Sequence, residues 1–594
     1  MKNKAVIIHS VDDAEHCVQN KLYEGALLFS THSSVDIYLK EIYNIPCQCL
    51  SKFFGNEEIK NLRNISSDTV DRILQALDVN VSPSINKQID LRMRYFVPLY
   101  SYLGKYHYSG YINFSESIRK VVDLYKPEEI YFYNCKLSSF FDTDSDIDYV
   151  VSLLFRDIKT KILKYHRVSK NKFDRFEITR KRMKKIRQRP MHAIEKLLER
   201  ISTNGKYGKL SKSRKSVLLF ENLYHLEFLK GDLKKYNVLF YHADSSSPVG
   251  FDSKEQTREI EVDFKGFEFI EDIKNPLIML FLKDIGKDFS TNIGKNIAAI
   301  DHLREIERDY PISLAIWGNP PIERRKALIF EYLRSRGVKI LGAQHGCLYG
   351  EYFEPWHFDS DFNRCDFYIS YGFTESNLKR LYTDREVDMK VFPLGAARKS
   401  PNNRPKKKID ILFPITNSMS FFDGGMTRIP LDKLAGRQIH LLEYLNSLEG
   451  FNIYIKPFPY SYTKKFTVLS VLRRMKNLKV VDHLSLSDFL ESYSPGAVLI
   501  EYPSQPLFDV LHLDTEIFLM NDPVHHYEKQ ALKELEMRVH YAEDTTEIVH
   551  KLNLFLKGML EKKRDDTYYK HYVYKEDSEN NILRLIDGLI EGNV

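Results

Sequence analysis

Gln344-His345-Gly346 closes an apolar run, Val338-Lys339-Ile340-Leu341-Gly342-Ala343. A run of that length and composition predicts a buried β-strand. The histidine at its end then places an imidazole at the carboxyl edge of a sheet, where open α/β folds bind ligands. An ordinary pKa near neutrality suits it to accept or give a proton there. A histidine merely hydrogen-bonded at a strand end reads equally well from the residues.

A second set of polar residues follows later strands. Val498-Leu499-Ile500 runs into Glu501-Tyr502-Pro503-Ser504-Gln505-Pro506. Ser504 and Gln505 offer a hydroxyl and an amide, and a helix opening near Pro506 aims its first N–H groups at the same place, which favours phosphate. Ser504 reads as a plain N-cap too, and both readings can hold. Thr416, Asn417, Ser418 and Ser420 follow the run 410–414 and suit either a loop that contacts phosphate or ribose or a simple turn. Lys456 ends the run 452–456, where its charge would neutralise a leaving group. Arg398 and Lys399 would do the same, or are solvated linker charge. Glu221 and Asp244 end or follow strand-like runs in the first half; either carboxylate could serve as the nucleophile of a double displacement. Asp142, Asp144, Asp146 and Asp148 alternate, but without the glycine and closing glutamate of a calcium loop they read as acidic helix-start residues.

Short runs rich in β-branched and aromatic residues position these groups. Strands are predicted at 5–9, 26–30, 129–134, 217–221, 237–242, 313–317, 338–343 and 366–370. A second series falls at 410–414, 452–456, 479–481, 497–501, 516–520 and 539–542. Helices fill the gaps, for example 323–336, 431–448 and a final one at 582–590 that packs back on a domain. Strand–helix alternation predicts parallel sheets covered by helices on both faces. At 594 residues the chain exceeds a single core. The polar stretch Ser400-Pro401-Asn402-Asn403-Arg404-Pro405-Lys406-Lys407-Lys408 marks a linker. The expected organisation is α/β, with two Rossmann-like domains, 1–398 and 399–594, facing across a cleft.

Charge is unevenly placed. Between Arg156 and Lys215 there are 22 Lys and Arg against 5 Asp and Glu, a surplus of 17, so the rest of a chain whose total is +7 carries −10. Leu153, Leu154, Ile158, Ile162 and Leu163, then Ile194, Leu197, Leu198 and Ile201, recur at helical spacing and predict a basic helical insertion at about 156–215 in the first domain. Such a run is either a solvated face or a site for an anionic partner. With no nucleic-acid motif beside it and an acidic body around it, an anionic membrane surface is the expected partner and nucleic acid is not. Six scattered cysteines with no CxxC pair predict neither a zinc site nor a disulfide framework. The apolar run at the N-terminus is too short for a signal peptide, and 277–282 is far below the roughly 20 residues that span a bilayer. A cytoplasmic protein, peripheral on the inner face of the membrane, is expected, with no metal and no cofactor.

Four pieces, in order, resemble the GT-B glycosyltransferases and related polyol-phosphate transferases that build bacterial surface polysaccharides such as capsule and lipopolysaccharide. Gln344-His345-Gly346-Cys347-Leu348-Tyr349-Gly350 resembles their His-Gly motif, and Pro393-Leu394-Gly395 their crossover into the second domain. Lys456-Pro457-Phe458-Pro459 resembles a Lys-Pro-His-Pro motif. The stretch from Glu501 to Asp509 resembles the donor-phosphate loop. The opening segment from Leu28 to Leu39 resembles N-termini of uncharacterised proteins of this class.

The resemblance implies a GT-B-like fold and His345 as the base that deprotonates an acceptor hydroxyl. It implies donor binding by Gln344, Gly346, Arg398, Thr416, Asn417, Ser418, Lys456, Glu501, Ser504 and Gln505. The substrate implied is a nucleotide-activated sugar, such as a CMP-linked acidic keto-sugar, and the acceptor a glycan or lipid-linked glycan. Transfer of a polyol phosphate from a CDP-linked donor is the neighbouring reading. A non-catalytic scaffold on membrane or nucleic acid is the reading of a different class. Phe458 departs from the motif, since phenylalanine cannot donate a hydrogen bond to phosphate.

Overall fold

The computed structural model describes residues 4–133, 151, 155, 158–163, 210–220, 222–241, 260, 270, 274–346, 348–353, 355–397, 406–416, 431–457, 468–522 and 526–594. The first strands are β1 (Lys4–Ile8), β2 (Ala26–Ser30), β3 (Gln48–Cys49), β4 (Glu129–Tyr133) and β5 (Lys159–Leu163), in the sheet order β3-β2-β1-β4-β5. The next are β6 (Ser216–Phe220), β7 (Asn237–Tyr241), β8 (Ile312–Trp317), β9 (Lys339–Ala343), β10 (Phe367–Ser370) and β11 (Lys390–Pro393), in the order β11-β10-β9-β8-β6-β7. The last are β12 (Lys407–Ile415), β13 (Ile453–Pro457), β14 (Leu478–Val480), β15 (Tyr493–Ile500), β16 (Glu516–Met520) and β17 (His540–Ala542), in the order β14-β13-β12-β15-β16-β17. All the pairings are parallel. Strands β6, β7, β13 and β16 are buried along their whole length, which is why they read as unbroken rather than alternating apolar runs.

The α/β class is as expected, and the second and third sheets are the two Rossmann-like units. The first sheet is a further unit. It shares one core with the second: Ala5, Ile7 and Phe29 join the same cluster as Leu218 and Phe220, through the helices Asn56–Asn80, Phe96–Tyr125 and Pro276–Asp309. The final helix, Ser578–Glu591, crosses back from the third unit and seats Ile582, Ile586 and Leu589 against Val217, Leu219 and Ile316 of the second sheet.

The second and third units touch directly. Tyr352 and Tyr527 form an antiparallel bridge, Glu528 N donates to Glu351 O at 2.6 Å, and Phe353 N donates to His526 O at 2.9 Å. On the return path Ala396 N donates to Val573 O at 2.9 Å.

Where the start of the basic segment is described, it is not helical. Ile162 and Leu163, expected on a helix, belong to the edge strand β5, which pairs with β4 from Glu129↔Lys159 to Tyr133↔Leu163. Its side chains are largely exposed, so lysines are tolerated there and keep the sheet edge from pairing further. The remainder of the insertion, up to residue 209, lies outside the described residues, as do Asp142, Asp144, Asp146 and Asp148.

Candidate active site

A parallel sheet opens a crevice at its carboxyl edge where the strand order reverses. In the second sheet that point lies between β6 and β8, each of which also continues its own half of the order. In the third it lies between β12 and β15. Among the described residues, the predicted ones at or after the ends of strands in the second and third sheets include His345, Thr416, Lys456, Glu501 and Ser504.

His345 follows β9 and is 19 % exposed. Its Nε2 lies 2.9 Å from the Tyr349 hydroxyl, and its Nδ1 lies 3.5 Å from Asp361 Oδ1. Burial pushes the imidazole down to about 4, so it is neutral at pH 7 and holds a lone pair ready for a proton. Asp361 is fully buried; burial pushes it up to about 7, against hydrogen bonds from Ser360 Oγ at 2.5 Å and Tyr368 Oη at 3.2 Å. A carboxylate behind an imidazole fixes the ring and stabilises the imidazolium that forms when it takes a proton.

The chain on either side of Asp361 is held by buried cations. Arg364 donates to Asp359 O at 2.8 Å, Pro98 O at 2.7 Å and Ser101 Oγ at 3.0 Å. Lys105 Nζ sits 2.8 Å from both Asp71 Oδ2 and Asp359 Oδ2. The segment 359–364 is thus tied to the helices Asn56–Asn80 and Phe96–Tyr125. Neither Asp361 nor this network shows in the sequence, because no spacing rule links the His345 loop to it.

The loop after His345 is tightly built. Leu348 and Gly350 have φ of +68° and +76°, and a Cβ on Gly350 would fall 2.3 Å from Phe373. A side chain at Gly350 would not fit. Gly346 has no such requirement: a Cβ there would make ordinary contacts, with Tyr349 at 3.5 Å and Gln505 Oε1 at 3.8 Å. That second neighbour belongs to the third unit, so the loop of His345 meets Gln505 of the facing unit. Gln344, expected among the donor-contacting residues, is fully buried. Its Oε1 accepts from Tyr371 N at 2.7 Å and its Nε2 donates to Gly346 O at 2.9 Å, so it shapes the loop from within.

On the opposite lip, Thr416 N donates to the buried Glu501 Oε2 at 2.6 Å, and Gln438 Nε2 donates to Thr416 O at 2.9 Å. Burial pushes Glu501 up to about 7, against these partners, and its Oε1 has no hydrogen-bond partner among the described residues. Ser504 is the N-cap of the helix Gln505–Val510, but its hydroxyl does not cap; it donates to Tyr502 O at 3.2 Å. Gln505 Nε2 donates to Asp509 Oδ1 at 3.0 Å. Lys456, expected to neutralise a leaving group, is buried and donates to Pro457 O at 2.6 Å, and burial lowers its pKa. Glu221, Asp244, Arg398, Asn417, Ser418 and Phe458 lie outside the described residues. Among the described residues no three His, Cys, Asp or Glu side chains gather where they could hold a metal ion, and no helix is long and apolar enough to cross a membrane.

The family model described as LIC12162 family transferase matches residues 115–495. No curated protein matches the chain. Among solved structures, the chain is similar to UDP-GlcNAc 2-epimerase from Neisseria meningitidis, with TM-score 0.36 and 11% identity over 63% of this chain and 100% of that one. It is similar to sucrose-phosphate synthase from Thermosynechococcus elongatus, with TM-score 0.36 and 9% identity over 64% and 100%. It is also similar to the glycosyltransferase SnogD from Streptomyces nogalater, with TM-score 0.34 and 11% identity over 63% and 100%.

Proposed function

The chain belongs to the LIC12162 family of transferases, and from that premise we propose that it moves a sugar from a nucleotide-activated donor to a hydroxyl of a glycan or lipid-linked glycan. The observation that carries this reading is the neutral His345, backed by the buried Asp361, next to Gly346, where a Cβ would lie 3.8 Å from Gln505 Oε1 of the third unit. A neutral imidazole beside a carboxylate is suited to deprotonate an alcohol. The acceptor hydroxyl takes the place of the Tyr349 hydroxyl at Nε2 and gives its proton to His345. Its oxygen forms a bond to the anomeric carbon as the carbon–oxygen bond to the donor phosphate breaks. The nucleotide leaves with the electron pair, held by the edge of the third sheet around Thr416, Glu501 and Ser504, and Asp361 stabilises the imidazolium. The basic segment 156–215 brings the enzyme to an anionic membrane surface where a lipid-linked acceptor resides.

The test is a thermal-shift screen with CMP, CDP, UDP and GDP, followed by nucleotide release from the matching donors with a lysate glycan extract as acceptor. Binding of one nucleotide class and a loss of about 10²- to 10⁴-fold in kcat for His345→Ala are expected. Unchanged turnover in that variant removes His345 from the chemistry. A CDP-linked polyol as the one productive donor would redirect the reading to phosphoryl transfer.

A further inference from the structure

The loop that follows β6 lies at the reversal point of the second sheet, and one of its residues is treated unlike its neighbours. Leu223 is fully buried, and its backbone is pressed so closely on Gly318, just past β8, that a Cβ on that glycine would fall 2.4 Å from Leu223 O. His225 Nδ1 accepts from Ala397 N at 3.3 Å, and its ring meets Tyr371 edge-on at 5.0 Å, which ties the loop to the crossover between units. Leu226 is fully buried as well. Between these anchors Tyr224 is turned outward, 52 % exposed, with its backbone at φ +50°, and Asn222 before it stands at φ +60°. Left-handed backbone is unfavourable for an aromatic residue and persists only where the surroundings impose it; such positions cluster at ligand sites. The Tyr224 ring centroid lies 5.7 Å from that of His345, with the planes tilted by 38°.

We propose that Tyr224 is the platform on which the ring of the acceptor sugar rests while its hydroxyl meets His345. This rests on the glycosyl-transfer reading above. The loop belongs to the second unit beside His345, while Thr416, Glu501 and Ser504 follow strands of the third, so the group it faces is the acceptor rather than the nucleotide. A pyranose has an apolar face of C–H groups and a rim of hydroxyls. Laid on a phenol ring, it buries the apolar face and keeps the rim hydroxyls directed outward, toward an imidazole that is already at ring-contact distance. A rigid aromatic surface does this at little entropic cost, since its loop is already fixed. The residue therefore selects acceptors that present a flat C–H face beside the reacting hydroxyl.

The test uses the full-length protein and a panel of UDP-, GDP-, CMP- and CDP-linked donors with methyl glycosides as acceptors. For the productive pair, Tyr224→Ala is expected to raise the acceptor KM by about tenfold and leave the donor KM unchanged, while Tyr224→Phe stays within about twofold of the wild type. Tyr224→Gly relieves the left-handed backbone and is expected to keep the wild-type Tm with the same rise in acceptor KM, which separates binding from folding. An unchanged acceptor KM in Tyr224→Ala overturns the proposal, as does a Tyr224→Phe variant as impaired as the alanine. A wild type that neither turns over any pair nor shifts in Tm with any of the four nucleotides overturns the glycosyl-transfer reading itself, and the platform falls with it.

Discussion

His345 and Asp361 gain their chemistry from burial as much as from each other. Removal from water holds the imidazole neutral and brings the carboxyl into its titration range near pH 7. With Asp361 raised, its ionised form is populated only as pH climbs through about 7, and ionised Asp361 is what stabilises the imidazolium. Wild-type kcat/KM is therefore expected to rise with pH and level off above that value. Asp361→Asn keeps the shape but removes the charge. A fall of about 10²-fold in kcat and loss of the limb near pH 7 are expected, with donor KM unmoved. A variant that keeps the limb assigns it to another group. His345 was legible because a strand-like run ending in His-Gly has a known destination on a sheet edge. Asp361 was not, because it meets His345 only through tertiary packing, with Arg364 and Lys105 anchoring the neighbouring Asp359.

At the scale of elements, legibility followed burial. The run 516–520 matches β16 at both ends, and 26–30 matches β2, because buried parallel strands are continuous apolar runs. The strands that escaped, β3, β5 and β11, lie at the edges of their sheets and are short or carry exposed lysine, so the apolar signal is absent. The division of 1–398 into two sheets was hidden for another reason: the strand–helix rhythm is the same in both, and what separates them is hydrogen bonding between distant strands. The helices between the sheets carry the support for the site. Lys105, in the middle of Phe96–Tyr125, is buried between two carboxylates. Lys105→Met leaves Asp71 and Asp359 without their shared cation and is expected to cost about 3 kcal/mol in urea unfolding. Because Asp359 adjoins the Asp361 loop, kcat in the folded variant should fall too. A variant as stable as wild type would mean that water or a rearranged Arg385, 3.3 Å from Asp359 Oδ1, takes over the charge.

Across the whole molecule, the first unit binds both halves of the cleft. It shares its core with the second sheet, and it reaches the third through Ser51 Oγ, which donates to Asp432 Oδ1 at 2.7 Å, through the Glu41–Arg474 ion pair, and through Ile37 packed with Ala435 and Val471. The second and third sheets are also joined by the strap around Tyr352 and Tyr527, and there the fold buries a carboxyl. Glu351 is fully buried, neither of its carboxylate oxygens has a hydrogen-bond partner among the described residues, and burial raises its pKa well above the ordinary 4.5. The folded protein therefore holds this carboxyl protonated, while in the unfolded chain it ionises above about pH 4.5. Stability is fully present below that pH and declines as pH rises toward the raised folded value, by at most about 1.4 kcal/mol per unit. Glu351→Gln has the same shape and no charge to lose. Its Tm is expected to match the wild type near pH 5 and to exceed it by about 1 °C more for each unit up to pH 8. Parallel Tm–pH curves for the two proteins would show that Glu351 ionises in place. They would also show that the strap between the units opens to water, which the contacts at Glu528 N and His526 O argue against.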